Sequence, residues 1–83
     1  MLDAIRRILA ESGRLAVPAE ALGDTDSLFE AGLSSMATVN VMLALEDRFG
    51  IEIPDRLLTR RSFESVATIR AMLAEIGVAE APA

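Results

Sequence analysis

The stretch that decides the fold is residues 32–55, Gly-Leu-Ser-Ser-Met-Ala-Thr-Val-Asn-Val-Met-Leu-Ala-Leu-Glu-Asp-Arg-Phe-Gly-Ile-Glu-Ile-Pro-Asp. Apolar residues at helical spacing predict an α-helix over 35–49. Ser34 is suited to cap its start and Gly50 to end it. A helix this apolar belongs at the centre of a bundle. We predict a main apolar stripe of five residues, widened almost all round by three more: Met36, Val39, Met42, Leu43 and Phe49, then Val41, Ala44 and Leu45.

The rest of the chain predicts two more main helices and one short one. Residues 1–11 and 66–76 each place apolar side chains on one face, and Gly77 closes the second of these segments. Residues 56–61 favour a short helical turn. We therefore predict an all-α fold, a small four-helix bundle with three main helices, a short third helix and a long loop between helices 1 and 2. The predicted domain is 1–77, and 78–83 is a frayed tail.

Two smaller features tie these helices together. Residues 14–34 are rich in Gly, Pro, Asp and Ser, with apolar side chains that are expected to pin the loop across the helices. Pro54 argues against a central strand in the segment after Gly50. We expect an extended linker there, with Ile51 and Ile53 in the core. Phe49, at the end of the central helix, is predicted to be buried and to anchor that linker.

Composition excludes several kinds of chemistry. The 83 residues are 52% hydrophobic, with 4% aromatic side chains, and they contain no cysteine and no histidine. This excludes disulfides, thiol nucleophiles, imidazole bases and ordinary zinc sites. A serine hydrolase is disfavoured because no histidine could act as the base. We expect a protein that is not itself an enzyme.

Charge narrows the partners. Thirteen acidic residues and eight basic ones, all arginine, give a net charge of −5, which disfavours nucleic acid and anionic membranes as partners. No apolar run approaches the roughly 20 residues that span a bilayer, and the N-terminus lacks the order of a signal peptide. We expect a cytoplasmic protein. Residues 20–30 hold four acids and no base, but not with the spacing of a calcium loop, so we predict no metal site.

The run from Gly32 to Met36, the apolar helix and the segment from Phe49 to Asp55 together resemble the acyl carrier protein family. The resemblance covers roughly residues 1–76, and its specific part is 28–55. In that family a serine at the start of the second helix carries 4′-phosphopantetheine, whose thiol holds cargo as a thioester. By position, that serine is Ser35. The resemblance implies a monomeric carrier that meets a phosphopantetheinyl transferase, a loading ligase and a receiving enzyme.

A second serine matches the family triplet more literally. Asp-Ser-Leu, common at the family's site, occurs here at 26–28. Gly32 interrupts any helix that would begin at Ser27, whereas Ser35 opens the apolar helix and stands fourteen residues before Phe49, the family spacing. We therefore assign Ser35 and expect Ser27 to cap a short turn.

Partner-docking residues are expected on both sides of Ser35. Fatty-acid carriers resemble one another in an acidic second helix, and here uncharged side chains replace much of that charge, which makes generic fatty-acid synthase partners a poor fit. Family members dock partners through helix two and the third-helix region. The residues predicted to dock are Ser34, Met36, Val39, Asn40, Arg56, Arg60 and Arg61, whereas Arg6, Arg7 and Arg70 are expected to be surface residues.

The cargo has more than one interpretation. Gly-Leu-Ser-Ser at 32–35 and Leu-Leu-x-Arg-x-Ser-Phe at 57–63 are similar to stand-alone aminoacyl carrier proteins, which are loaded by ligases similar to seryl-type tRNA synthetases. That similarity implies a small amino acid as cargo. The alternatives are a specialised fatty-acid or polyketide carrier, and an unmodified interaction module with the same fold.

Overall fold

The structure, a computed structural model, describes residues 1–78 and is helical throughout its regular elements. Three α-helices follow in order: α1, Leu2–Ser12; α2, Ser35–Phe49; and α3, Val66–Ile76. Short 3-10 turns lie at Ala19–Ala21, Asp55–Leu57 and Arg61–Phe63. The all-α prediction is confirmed. No helix within residues 1–78 is long and apolar enough to cross a membrane.

The third-helix region, residues 55–63, differs in detail from the prediction. It contains two 3-10 turns instead of one helical turn over 56–61. Leu58, at ψ 68°, leaves the helical conformation between them. The region thus consists of two short 3-10 turns rather than one continuous short helix.

The core is mainly aliphatic and is shared by all three helices. α1 buries Ile5, Ile8 and Leu9. α3 buries four apolar residues of one face and partly buries Ile76: the four are Val66, Ile69, Met72 and Leu73. Ile53 of the linker is also buried, and Ile51 is partly so. The fully inaccessible side chains of the core are Ile5, Leu9, Leu28, Val41, Leu45, Val66, Ile69 and Leu73.

The predicted apolar stripe of α2 is wrong. The face that packs into the core is Ala37, Val41 and Leu45, spaced four residues apart. Three members of the predicted stripe are exposed instead: Met36 by 79%, Val39 by 50% and Leu43 by 53%. The remaining two members, Met42 and Phe49, are partly buried. Because α2 is apolar almost all round, hydrophobicity alone did not identify the side that the other helices cover.

The anchor of the linker also differs from the prediction. Phe49 is only half-buried, with the Arg48 guanidinium 5.4 Å from its ring centroid. Glu46 holds the linker: its backbone carbonyl accepts from the Ile51 N–H at 3.0 Å, and its carboxylate accepts from the Ile53 N–H at 2.8 Å. The phenylalanine that is buried in the core is Phe63, at 3% exposure.

The C-terminal end of α3 closes as expected at Gly77, which adopts a left-handed conformation. The Val78 N–H donates to the Leu73 carbonyl at 2.9 Å, and Val78 is partly buried against the core. The first residue of the predicted tail therefore completes the helix cap. Residues 79–83, the rest of that tail, lie outside the described residues.

Arg6 ties the long loop to α1, although it was predicted to be a surface residue. Its guanidinium donates to the carbonyls of Ala19 and Leu22 at 2.8 Å each and forms an ion pair with Asp24. The side chain is only 23% exposed. The loop is fixed at its far side by the Leu28 N–H, which donates to the Glu64 carbonyl at 2.7 Å. These bonds place the end of the loop, and with it the start of α2.

Replacing Arg6 with alanine should lower the free energy of unfolding by about 2 kcal/mol, because two loop carbonyls and Asp24 lose one charged donor. Urea unfolding followed by circular dichroism measures this value. Arg7→Ala is the matched control, since Arg7 is the neighbouring arginine and is exposed. That variant should stay within about 0.5 kcal/mol of the parent. Equal losses of unfolding free energy in the two variants would contradict the role of Arg6 in holding the loop.

Candidate functional site

Ser35 is the first residue of α2, and its neighbour supplies the helix cap. The Ser34 hydroxyl accepts from the Ala37 N–H at 3.0 Å, and the Thr38 hydroxyl donates to the Ser34 carbonyl at 2.7 Å. The predicted N-cap is therefore confirmed. The Ser35 side chain is exposed and makes no hydrogen bond with another described residue. Of the two adjacent serines, Ser34 is occupied with capping and Ser35 presents an available hydroxyl.

The electrostatic setting of Ser35 suits an anion. The first turn of α2 contains no acidic residue, and free N–H groups with the positive end of the helix dipole lie at this terminus. A phosphate at a helix N-terminus is a recurring arrangement for the same reason.

Gly32 shapes the approach to α2. Its φ is +110°, and a Cβ at this position would lie 3.0 Å from the backbone nitrogen of Ala16. The Ala16 N–H donates to the Ala31 carbonyl at 2.8 Å, so the early part of the loop crosses close to this glycine. This crossing needs both the left-handed backbone and the missing side chain of Gly32.

A groove of about 590 Å³ opens beside Ser35, between α2 and the third-helix region. We call it the Ser35 groove. Its volume falls within the roughly 300–1,000 Å³ that is usual for small-molecule sites. Most of its lining is apolar, and the nine residues come from three separate parts of the chain: Phe29, Ser35, Thr38, Val39, Met42, Leu58, Thr59, Arg60 and Phe63.

The three arginines predicted to dock partners have different surroundings. Arg60 lines the Ser35 groove, with its guanidinium 3.9 Å from the centroid of the Phe29 ring. Arg56 is exposed and forms an ion pair with Glu75 at 3.2 Å. Arg61 lines a different depression, beside Thr68 of α3. Arg60 is thus the arginine of this set that faces the groove of Ser35.

An exposed apolar face runs along α2 from the candidate site. It contains the predicted residues Met36 and Val39, with Asn40 and Ser34 also exposed beside them. Leu43 extends this face by one turn, and the prediction had placed that residue in the core stripe. We call Met36, Val39 and Leu43 the α2 apolar face. The sequence does contain a pattern that indicates this face, because apolar residues lie on more than one side of α2.

The acidic residues of the loop segment 20–30 make local contacts. Asp24 pairs with Arg6, and the Asp26 carboxylate accepts from the Gly23 N–H at 2.8 Å. Ser27 caps a turn, as expected, by accepting from the Glu30 N–H at 3.3 Å. Within residues 1–78, no group of three or more His, Cys, Asp or Glu side chains could hold a metal ion.

The residues present fit the 4′-phosphopantetheine that the resemblance implies. Ser35 offers an exposed oxygen for a phosphodiester, and the start of α2 offers uncompensated N–H groups for its charge. The Ser35 groove opens from the same residue and offers an apolar surface with two threonine hydroxyls, of Thr38 and Thr59, to an attached arm. When bound, the group supplies a thiol on a long flexible arm.

Comparison with known proteins shows the family of the chain. Residues 3–76 match the model of a family described as "Phosphopantetheine attachment site". The chain is 49% identical over 65 residues to an aminoacyl carrier protein of Agrobacterium fabrum, and the alignment covers 78% of each protein.

Solved structures agree in fold. One is an engineered Bradyrhizobium japonicum glycine:[carrier protein] ligase in complex with a carrier protein from Agrobacterium tumefaciens and AMP. It matches with 44% identity and a TM-score of 0.87, over 89% of this chain and 99% of the matched chain. Another is the holo acyl carrier protein of Nitrosomonas europaea, with 29% identity and a TM-score of 0.78, over 89% and 92%.

The family match covers nearly all of residues 1–78 and agrees with the resemblance found in 28–55. Members of this family bear a covalent cofactor for other enzymes, which fits the expectation of a carrier rather than a catalyst. The chain belongs to the phosphopantetheine-attachment family of carrier proteins and carries 4′-phosphopantetheine as its covalent cofactor.

Proposed function

We propose that Ser35 is the attachment point of the cofactor and that the domain, residues 1–77, carries an amino acid on it. The observation that carries the proposal is the exposed, unbonded Ser35 hydroxyl on the first turn of α2, at the mouth of an apolar groove. Ser34 and Ser27 are poorer candidates because each already accepts a backbone hydrogen bond.

Attachment is a phosphoryl transfer from coenzyme A, catalysed by a phosphopantetheinyl transferase. The Ser35 oxygen forms the new bond to phosphorus, the bond to the adenosine bisphosphate part breaks, and the serine proton leaves to a base of the transferase. This chain contributes an accessible nucleophile and a helix terminus that stabilises the phosphodiester charge. The chain has no histidine, so the catalytic base is expected to belong to the transferase.

The aminoacyl cargo is supported by the relatives. The Agrobacterium fabrum relative is an aminoacyl carrier protein, and the neighbouring solved structure pairs a carrier with a glycine:[carrier protein] ligase. We propose that a ligase of this kind loads glycine or another small amino acid and that a receiving enzyme then takes it. We further propose that these steps occur in the cytoplasm, where coenzyme A and ATP are available, and that the carrier acts as a monomer.

The loading ligase is proposed to dock on the α2 apolar face, together with Ser34 and Asn40 beside it. Because the first turn of α2 bears no acidic residue, contact there depends on apolar burial more than on charge attraction. The same ligase is proposed to contact the third-helix region through Arg56, Arg60 and Arg61. Any dependence of docking on ionic strength should come from these arginines, since screening acts on charges and not on the α2 apolar face.

A loading assay tests the carrier function and this surface together. Modified protein, ATP, a glycine:[carrier protein] ligase and radiolabelled glycine should give labelled carrier, and the label should be released by hydroxylamine. Met36→Glu should raise the KM for the carrier at least about tenfold, because a charge replaces the exposed apolar side chain of Met36 in the α2 apolar face.

Ala74→Glu is the matched control, since Ala74 is exposed on α3 and the substitution adds the same charge. It should load like the parent. Equal KM values for Met36→Glu and Ala74→Glu would contradict docking on the α2 apolar face. A modified carrier that accepts no amino acid from any such ligase would contradict the aminoacyl cargo.

A further inference from the structure

The Ser35 groove contains a single charged residue among the described residues that line it, and that residue is Arg60. Its guanidinium rests on the Phe29 ring, and it forms no ion pair with another described residue. By contrast, Arg6 is paired with Asp24 and Arg56 with Glu75. The groove therefore presents a fixed positive charge with no carboxylate in its lining.

This charge distribution distinguishes two kinds of cargo of the same size. A neutral acyl end, such as propionyl, can place its methyl group on the apolar lining formed by Val39, Met42 and Leu58. A glycyl end has almost the same shape but ends in an amine whose charged form is common near neutral pH. Moving that ammonium into the groove removes water and brings it towards Arg60, so both desolvation and like-charge repulsion oppose its entry.

We propose that Arg60 makes the Ser35 groove selective, so that it admits an arm with a neutral acyl end and excludes an arm that ends in an ammonium group. The inference rests on the proposed attachment at Ser35. Because the aminoacyl end stays outside the Ser35 groove, a receiving enzyme can reach it without first pulling it out of the groove. Phe29 is the positioning partner, because its ring holds the guanidinium at the groove wall.

NMR of methyl-labelled protein tests this selectivity. The arm is installed from coenzyme A analogues that end in glycyl or propionyl groups joined through a stable amide, so hydrolysis does not interfere. Relative to the unloaded modified protein, propionyl should shift the methyl signals of Val39, Met42 and Leu58. Glycyl should leave them nearly unchanged, with an occupancy about tenfold lower, a difference that one unfavourable charge contact readily produces. Leu57 lines a different depression and should not move with either cargo.

Charge reversal provides the decisive comparison. In Arg60→Glu the glycyl arm should enter and shift the groove methyls at least as much as propionyl does. Arg61→Glu makes the same charge change at the next residue, outside the groove, and should keep the wild-type preference. Arg60→Gln, which keeps a long polar side chain without charge, should give glycyl and propionyl similar shifts if Arg60→Glu fails to fold.

Three results would overturn the inference: equal shifts from glycyl and propionyl in the wild type, no shift from either, or the same response in Arg60→Glu and Arg61→Glu. Failure of the proposed attachment is a separate result, because unmodified Ser35 is seen by intact mass before any NMR spectrum is recorded.

Discussion

Replacing Phe63 with alanine is expected to lower the free energy of unfolding by about 3–5 kcal/mol. Phe63 is 3% exposed, lies in the 3-10 turn Arg61–Phe63, and packs in the core while it also lines the Ser35 groove. Removing the ring leaves a cavity that a short irregular segment cannot readily fill. The total free energy of unfolding of a small domain is only about 5–15 kcal/mol. A loss of this size should therefore lower the melting temperature by roughly 15–30 °C.

Phe49→Ala is the matched control for this loss. Phe49 is the same residue type, but it is half-buried at the end of α2, so its replacement should cost about half as much. Urea unfolding followed by circular dichroism compares the two variants. A larger loss from Phe49→Ala than from Phe63→Ala would contradict the core described above and restore Phe49 as the anchor.

Helix boundaries could be predicted from the sequence because they depend on local chemistry. α2 runs over Ser35–Phe49 as predicted, since Ser34 accepts the Ala37 N–H at one end and Gly50 adopts the left-handed conformation at the other. The same holds for α3 between Ser65 and Gly77, where Ser65 and Thr68 form a capping box. Each of these ends is decided by residues within one turn.

The orientation of α2 could not be predicted in this way. Its core face is set by which side α1 and α3 cover, and an apolar residue such as Leu43 gives no sign of being left outside. The role of Arg6 was missed for a related reason, because its partners lie 13 to 18 residues away in an irregular loop. Contacts across such distances depend on the whole fold rather than on spacing.

The candidate site was predicted in part. That Ser35 opens α2 could be predicted because a serine, a helix start and a following apolar helix are adjacent in the sequence. Its assignment as the attachment site is what the resemblance to the carrier family implies. The Ser35 groove could not be predicted, since it combines Phe29 from the loop, Met42 from α2 and Leu58 from the third-helix region. The stacking of Arg60 on Phe29 likewise joins residues 31 positions apart, by the numbering. Only the folded chain shows that these side chains share one surface.

Ser35→Ala should abolish modification altogether, because the hydroxyl oxygen that would form the phosphodiester is gone. The fold should be nearly unaffected, since the Ser35 side chain is exposed and makes no hydrogen bond with a described residue. Ser34→Ala should behave in the opposite way. It removes the helix cap at a cost of about 1 kcal/mol, yet it leaves the Ser35 hydroxyl in place.

Intact-mass spectrometry after incubation with coenzyme A, magnesium and a phosphopantetheinyl transferase tests the central claim most directly. The parent and Ser34→Ala should each gain the mass of one phosphopantetheinyl group, and Ser35→Ala should gain none. No mass gain in the parent, or a gain that persists in Ser35→Ala, would contradict the assignment of Ser35 as the attachment site.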